Sequence, residues 1–332
     1  MRSLRFRKSL AVTGTILCAG AALSACGGSG SDKTSDADKA KGQGSVTVAT
    51  SKGEMTVPLK PARVVALDNT SFATLKAFGV KPVAVPKTLL PKEGFEDWKS
   101  DSSIGDAGSH REPKFEAINA AEPDLIVGGY RFSSHQDKLS KIAKTVDVAP
   151  SDEAKGGYVN SLKTQTETLG KIFGQEAKAK EIVAALDKAK DAAAAATKGE
   201  KVFLGVASAG KIDNGASRIG RLIEPLKLKN VLSAEGQDSN SVHNNSGLAP
   251  ETVAQLNPDW MILMDRDAAV TDPGKETVAA KKLVDGMEAW EKTTFRKQGQ
   301  VIYLPADFYV TEGAQSYTAA FDQVATAFTK AG

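Results

Sequence analysis

The 332 residues carry 43 Lys and Arg against 40 Asp and Glu, a formal net charge of +3. Four of the basic residues, Arg2, Arg5, Arg7 and Lys8, open the chain without an acidic partner, so the remainder stands at −1, with 39 basic against 40 acidic groups. That balance removes the electrostatic basis for nucleic-acid binding, and two cysteines are too few for a disulfide scaffold.

Behind the basic residues, Leu10 to Leu23 is an apolar stretch rich in Ala and Gly. It is shorter than the ~20 apolar residues that a spanning helix needs. The pattern predicts an export signal over residues 1–25, absent from the mature chain. Its end, Leu23-Ser24-Ala25-Cys26, resembles a bacterial lipobox. The resemblance implies cleavage before Cys26, a diacylglycerol on its sulfur, and an extracytoplasmic protein anchored to the cell membrane. No Arg-Arg pair is present, which favours the general secretory route over the twin-arginine route. Cys18 leaves with the signal and Cys26 carries lipid, so the folded part is expected to hold no thiol for a disulfide, a metal or catalysis. Residues 26–44 comprise that cysteine and a Gly-, Ser-, Asp- and Lys-rich tether.

The remaining 288 residues suffice for two domains. Ser45-Val-Thr-Val-Ala-Thr and Glu54-Met-Thr-Val-Pro predict a short hairpin around Ser51 to Gly53. Arg63-Val-Val-Ala-Leu67 reads as a buried strand, Asp68-Asn-Thr as a cap, and the helix that follows runs to about Phe78 before Gly79 stops it. Lys81 to Pro86 is a second strand, and strand, helix, strand in this order imply a parallel α/β arrangement. Apolar positions at helical spacing predict one helix from Tyr158 to Phe173 and another from Gln175 to Thr197. The first would bridge two lobes, 45–156 and 175–332, with residues 157–174 as a stiff connection that permits rocking rather than wide hinge closure. A strand at Lys201 to Val206 opens the second lobe. A strand at Val301 to Leu304 and a helix from about Thr311 to Lys330 close it.

An internal repeat ties the lobes together. Residues 115–131, FEAINAAEPDLIVGGYR, align with residues 250–266, PETVAQLNPDWMILMDR, at a constant offset of 135. Glu116 meets Glu251, Pro123 meets Pro258, Asp124 meets Asp259 and Arg131 meets Arg266. Each copy reads as helix, Pro-Asp turn, buried strand, and an arginine just past the strand. In open α/β sheets the carboxyl ends of the strands face the ligand crevice, so Arg131 and Arg266 are expected there, one from each lobe.

The stretches Pro61-Ala-Arg-Val-Val-Ala-Leu, Glu112-Pro-Lys-Phe-Glu-Ala-Ile, Glu122-Pro-Asp-Leu-Ile, Asp137-Lys-Leu-Ser-Lys-Ile-Ala, Leu169-Gly-Lys-Ile-Phe-Gly, Gly215-Ala-Ser-Arg-Ile-Gly and Met264-Asp-Arg-Asp-Ala-Ala span nearly all of residues 45–330. In combination they resemble the class III, helical-backbone periplasmic-binding-protein fold: two Rossmann-like lobes joined by a long helix. The resemblance is to its ferric-siderophore subgroup, which binds catecholate and petrobactin-type complexes. It implies a monomeric, non-enzymatic component of an ABC importer that captures an iron(III)–siderophore and hands it to a permease and its ATPase, which are separate chains. No resident cofactor is implied; the ligand brings the iron.

In that subgroup three arginines converge on the anionic ligand, and the matching positions are Arg131, Arg218 and Arg266. A histidine in the loop before the second repeat and a tyrosine after the last strand match His243 and Tyr309; both are competent to ligate iron(III) when the chelator leaves sites open. The His243 loop, DSNSVHNNSGLAPE, departs from the usual wording and is about one residue longer. The resemblance also assigns one glutamate per lobe to docking on permease arginines, matching Glu116 and Glu251. A plainer account of both is a carboxylate placed against a helix dipole. Arginine suits an anionic chelate whose iron is already saturated, because its planar fork stays charged and donates to two oxygens. Three hydrogen bonds to charged groups, at about 1.5–3 kcal/mol each, exceed the ~4 kcal/mol between micromolar and nanomolar binding. Arg266 is flanked by Asp265 and Asp267, which offer it a purely structural pairing instead. His110, His135 and Lys87 read as ordinary surface or structural residues.

No G-x-S-x-G elbow, H-E-x-x-H or dinucleotide fingerprint occurs. Gly215 to Gly220 has P-loop glycine spacing, but Arg221-Leu222 replace Lys-Ser/Thr and no strand is predicted before it. Scattered histidines argue against a divalent-metal cage. Haem or cobalamin cargo would call for more stacking aromatics than the 6% present. A hydroxamate siderophore stays open, and a lipid-anchored hydrolase would need a nucleophile–base pair that the sequence does not display.

Overall fold

Residues 44–234, 246–270 and 277–332 are described by a computed structural model. Strands β1 (Ser45–Thr50) and β2 (Gly53–Pro58) pair antiparallel as a hairpin. Five strands then build a wholly parallel sheet: β3 (Val64–Ala66), β4 (Ala84–Val85), β5 (Gly105–Asp106), β6 (Leu125–Gly128) and β7 (Thr145–Asp147), in the order β5-β4-β3-β6-β7. β3, β4, β6 and β7 are buried at every residue, which is why they read as short apolar runs rather than alternating ones. The second sheet holds β8 (Lys201–Ser208), β9 (Lys211–Asn214), β10 (Lys229–Asn230), β11 (Trp260–Asp265) and β12 (Val301–Tyr303). Its parallel order is β10-β8-β11-β12, with β9 antiparallel on β8. Strand order reverses between β3 and β6 in one sheet and between β8 and β11 in the other, so each sheet has its crevice at those carboxyl ends.

A bridging helix, Gly157–Phe173, lies between the two sheets in the chain and runs from Gly156 to Gly174, both left-handed. Behind it pack the helix Glu176–Ala196 and the terminal helix Ala314–Ala331. Phe328 of the terminal helix stacks on Trp260 at 4.1 Å between ring centroids. One apolar cluster includes Val64 and Val127 of the first sheet, Leu162 and Leu169 of the bridge, and Val202, Leu204 and Ile262 of the second sheet. Wide opening about the bridge would expose this shared core, at about 25 cal/mol per Å² of apolar surface, so the packing favours small rocking motions.

The repeat has a structural cause. In the first sheet Asp124 accepts hydrogen bonds from the backbone N–H of Ala62 and Arg63, at 2.8 and 3.0 Å, at the entry to β3. In the second, Asp259 accepts from Lys201 N at 2.8 Å, at the entry to β8. Each aspartate of a Pro-Asp turn thus pins the neighbouring parallel strand in register.

Two expectations need correction. Strand β9 immediately precedes Gly215, so the glycine segment does follow a strand; that strand is antiparallel, and the segment still lacks the P-loop lysine. The last helix does not begin at Thr311. A short helix, Phe308–Thr311, ends at Glu312, which adopts φ 44°, and the terminal helix restarts at Ala314. Left-handed Glu312 and extended Gly313 make the break, and position 313 admits no side chain, since a Cβ there would lie 2.2 Å from Thr70 O. At this seam the loop after β3 touches the segment after β12. Asn69 Nδ2 donates to Val310 O at 2.7 Å, and Thr74 Oγ1 to Gln315 Oε1 at 3.2 Å.

Beside the seam, Asp68 is fully buried. Its carboxylate accepts from Thr70 N at 2.9 Å, Thr70 Oγ1 at 2.7 Å and, from the bridging helix, Gln165 Nε2 at 2.9 Å. Burial pushes its pKa up to about 7, with the Asp147 charge adding to it and the Thr70 and Gln165 hydrogen bonds opposing. The folded state therefore holds this proton more tightly than the unfolded chain. The resulting stability is complete below the unfolded pKa near 3.8 and is lost as pH rises towards 7. Asp68→Asn should remove that slope: thermal melts from pH 4 to 8 should show the variant gaining on the parent protein as pH rises. A difference in Tm independent of pH would contradict the assignment.

Candidate functional site

Three guanidinium groups surround one phenol ring at the carboxyl ends of the strands. Arg131 lies in the 3-10 turn Tyr130–His135 that follows β6. Arg218 lies in the helix Ala216–Ile223 that follows β9. Arg266 is the first residue of the helix Arg266–Ala269, directly after β11. Tyr309 sits in the short helix after β12 and is 8% exposed. The Cζ atoms of Arg131, Arg218 and Arg266 are 5.3, 5.3 and 5.7 Å from the Tyr309 ring centroid. These are cation–π distances, at which the ring face attracts positive charge.

The arginines are held differently. Arg131 donates through Nη2 to Tyr309 O at 3.3 Å and pairs with Glu312 at 3.8 Å, its side chain 14% exposed. Burial alone would ease the proton off Arg131, but the charges of Glu312 and the neighbouring tyrosines outweigh it and hold the guanidinium more basic than usual. Arg266 pairs with the adjacent Asp267 at 3.5 Å. Arg218 has no ion pair among the described residues. The Nε atoms of Arg131 and Arg218 are buried with no hydrogen-bond partner among the described residues. An N–H donor buried in that way costs about 1–3 kcal/mol unless something bonds to it. Such donors beside three positive charges suit an anionic ligand with several oxygen acceptors.

Other candidates fall elsewhere. Glu116 and Glu251 are exposed, each in the first turn of its helix, Phe115–Ala120 and Pro250–Leu256. Lys87 is tied down: its Nζ donates to Lys99 O at 3.0 Å and Asp101 O at 3.2 Å. His135 meets His110 O through Nε2 at 2.9 Å. His110 is half-buried, and burial together with the Arg131 charge holds its imidazole below the ordinary histidine range. That places His110 in the electrostatic field of the site, a neighbourhood its position in sequence does not reveal. His243 and Cys26 lie outside the described residues. Among the described residues no cluster of His, Cys, Asp and Glu is arranged to hold a metal ion. No described helix is long and apolar enough to cross a membrane.

Sequence reasoning missed Glu312, Tyr130 and Arg221. Glu312 is 1% exposed and receives the Tyr130 hydroxyl proton donor on its carboxylate and Tyr158 OH on its backbone oxygen at 2.9 Å. Arg221 lies over the Tyr158 ring at 4.1 Å and pairs with Asp152 at 3.4 Å. The available signal was Gly313, a helix breaker inside a pattern that otherwise continues as helix. A cavity of about 370 Å³ draws its lining from both halves, including Lys92 and Glu93 from one and Ala268, Pro305 and Asp307 from the other.

The sequence matches the Periplasmic binding protein family over residues 64–308. It is 32% identical over 313 residues to the petrobactin-binding protein YclQ of Bacillus subtilis, covering 92% of this chain and 94% of that one. The crystal structure of YclQ superposes with a TM-score of 0.70, covering 86% of this chain and 99% of the other at 29% identity. The ferric-anguibactin-binding protein FatB of Vibrio anguillarum is 28% identical over 268 residues, 79% of this chain and 80% of that one. The siderophore-binding protein BauB, solved with ferric iron and two molecules of acinetobactin, superposes with a TM-score of 0.72 at 26% identity, covering 86% and 99% of the two chains. With more than half of its length matched by the family model, this chain belongs to the periplasmic binding protein family.

Proposed function

We propose that this chain is the substrate-binding component of an ABC importer and captures an anionic iron(III)–siderophore, of catecholate or mixed citrate–catecholate type. The observation that carries the reading is the convergence of Arg131, Arg218 and Arg266 on Tyr309. Relatives named for petrobactin and ferric anguibactin support it. The chain acts by binding, not by catalysis, and has no resident cofactor; iron enters with the cargo.

The chemistry follows from charge. A catecholate chelate fills the iron's coordination sphere and spreads several negative charges over its outer oxygens. Guanidinium forks meet such oxygens with two parallel N–H donors each. In a partly buried cleft these charge-assisted bonds contribute about 1.5–3 kcal/mol apiece. Tyr309 lies within cation–π distance of all three guanidinium groups, which sets an aromatic ring among the charges that would meet the chelate. When a chelator leaves coordination sites open, Tyr309 and His243 are the residues proposed to complete them.

Delivery requires a second surface. Glu116 and Glu251, exposed and related by the repeat, are proposed to dock on basic residues of the permease, which works with a separate ATPase. Cys26, acylated after removal of residues 1–25, would keep the monomeric protein at the outer face of the membrane, tethered through residues 26–44.

Isothermal titration with ferric petrobactin, an iron(III) tris-catecholate, a neutral ferric hydroxamate and the iron-free chelators tests the reading. The ferric anionic chelates should bind, and Arg131→Ala and Arg266→Ala should each weaken the tightest of them at least tenfold, about 1.4 kcal/mol. Unchanged affinity in both variants would contradict charge matching. For docking, Glu116→Ala with Glu251→Ala should lower cellular uptake of radioactive iron several-fold while leaving the calorimetric affinity intact. Loss of affinity would assign both carboxylates to the cleft instead. Cys26→Ala should move the protein from the membrane fraction to the soluble fraction; continued membrane association would refute the lipid anchor.

A further inference from the structure

Two residues with side chains meet across the chain while both hold left-handed backbone. Tyr130 has φ 47° and Glu312 φ 44°. The Tyr130 hydroxyl donates to Glu312 Oε2, although 182 positions separate them. Left-handed backbone at residues other than glycine, asparagine or aspartate is uncommon, costs of order 1–3 kcal/mol, and persists only where the surroundings impose it. Here the surroundings are identifiable. Gly129, with φ 97°, brings the turn after β6 so close to Asp147 that a Cβ would lie 2.2 Å from Asp147 Oδ1. Gly313 is pressed against Thr70 O to the same degree. Between these two tight approaches the chain presents Tyr130 and Arg131 from one side and Glu312 from the other.

Glu312 is itself an expensive group to bury. It is 1% exposed, and its Oε1 has no hydrogen-bond partner among the described residues. A carboxylate removed from water is costly unless paired, and among the described residues its ion pair is with Arg131, at 3.8 Å. The backbone of Glu312 is also fixed, by Tyr158 OH from the bridging helix. Arg266 draws its carboxylate from the next residue, Asp267, and so carries its partner with it. Arg131 has no such local partner. Its anion and its second anchor, Tyr309 O, both come from the segment after β12.

We propose that Glu312, with Tyr130, is a positioning residue: it holds the Arg131 guanidinium against Tyr309, so that the arginine of one half is set for ligand by a carboxylate of the other. The cleft is then complete only when the two halves are correctly seated. Burial keeps the Tyr130 phenol protonated well above the ordinary tyrosine range, so it remains a donor to the carboxylate.

This inference rests on the functional reading above, and a double-mutant cycle separates the two. Ferric petrobactin is titrated calorimetrically into the parent protein, Glu312→Gln, Tyr130→Phe, Arg131→Ala and the two doubles carrying Arg131→Ala, with urea unfolding of each as a control. Glu312→Gln should weaken binding about tenfold and Tyr130→Phe about threefold when Arg131 is present. In the Arg131→Ala background both should change affinity by less than twofold, because the group they position is gone. Equal losses in both backgrounds would reduce Glu312 to a general structural role and overturn the proposal. So would unchanged binding, or tighter binding, which would make the carboxylate a mere competing charge. Tyr130→Phe removes one hydroxyl only and keeps the test available should Glu312→Gln not fold. If the parent protein does not bind the chelate, the functional reading fails and takes this inference with it.

Discussion

Mutual repulsion among three guanidinium groups is the constraint around which the site is built. Arg131, Arg218 and Arg266 all lie within cation–π range of the Tyr309 ring. Like charges gathered in a low-dielectric cleft repel one another strongly. Among the described residues, Glu312 faces Arg131, Asp267 faces Arg266, and the Tyr309 ring lies within cation–π distance of all three. Under the proposed function, an anionic chelate neutralises the positive charge that remains. A fully compensated cluster would be more stable and would bind less.

The fold supplies the positions by repetition. Two sheets built on parallel strands each place an arginine past the end of the strand beside their first, Arg131 after β6 and Arg266 after β11. Asp124 and Asp259 fix the register of those strands from the opposite end. Arg218 and Tyr309 come from the second sheet alone, so the site is not symmetric. The bridging helix and both sheets contribute to one apolar cluster. Seam contacts such as Asn69 to Val310 O bring the loop after β3 to the segment that carries Tyr309.

Much of this was legible in the sequence. The repeat at an offset of 135 placed Arg131 and Arg266 at equivalent strand ends, and buried parallel strands left apolar runs such as Leu125 to Gly128 that are recognisable without a structure. Arg218 and Tyr309 were legible only through family resemblance, since nothing local distinguishes one helical arginine or one loop tyrosine from another. Glu312 was signalled only indirectly, by the helix-breaking Gly313 that follows it. Its position within an amphipathic helical pattern reads as an ordinary first-turn carboxylate. The approach of Gly313 to Thr70 O, distant in sequence, explains why glycine stands there. The environment of His110 escaped for the same reason: its neighbours arrive from other segments of the chain.

Under the proposed function, cargo is held by charge rather than by shape alone. The most direct test compares the association constants of an iron(III) tris-catecholate and a neutral ferric trihydroxamate of similar size over a series of salt concentrations. Charge matching predicts that the anionic chelate binds at least a hundredfold tighter at low salt, about 2.7 kcal/mol, and that the gap narrows as salt screens the cleft. Equal affinities, or a preference unaffected by salt, would contradict it.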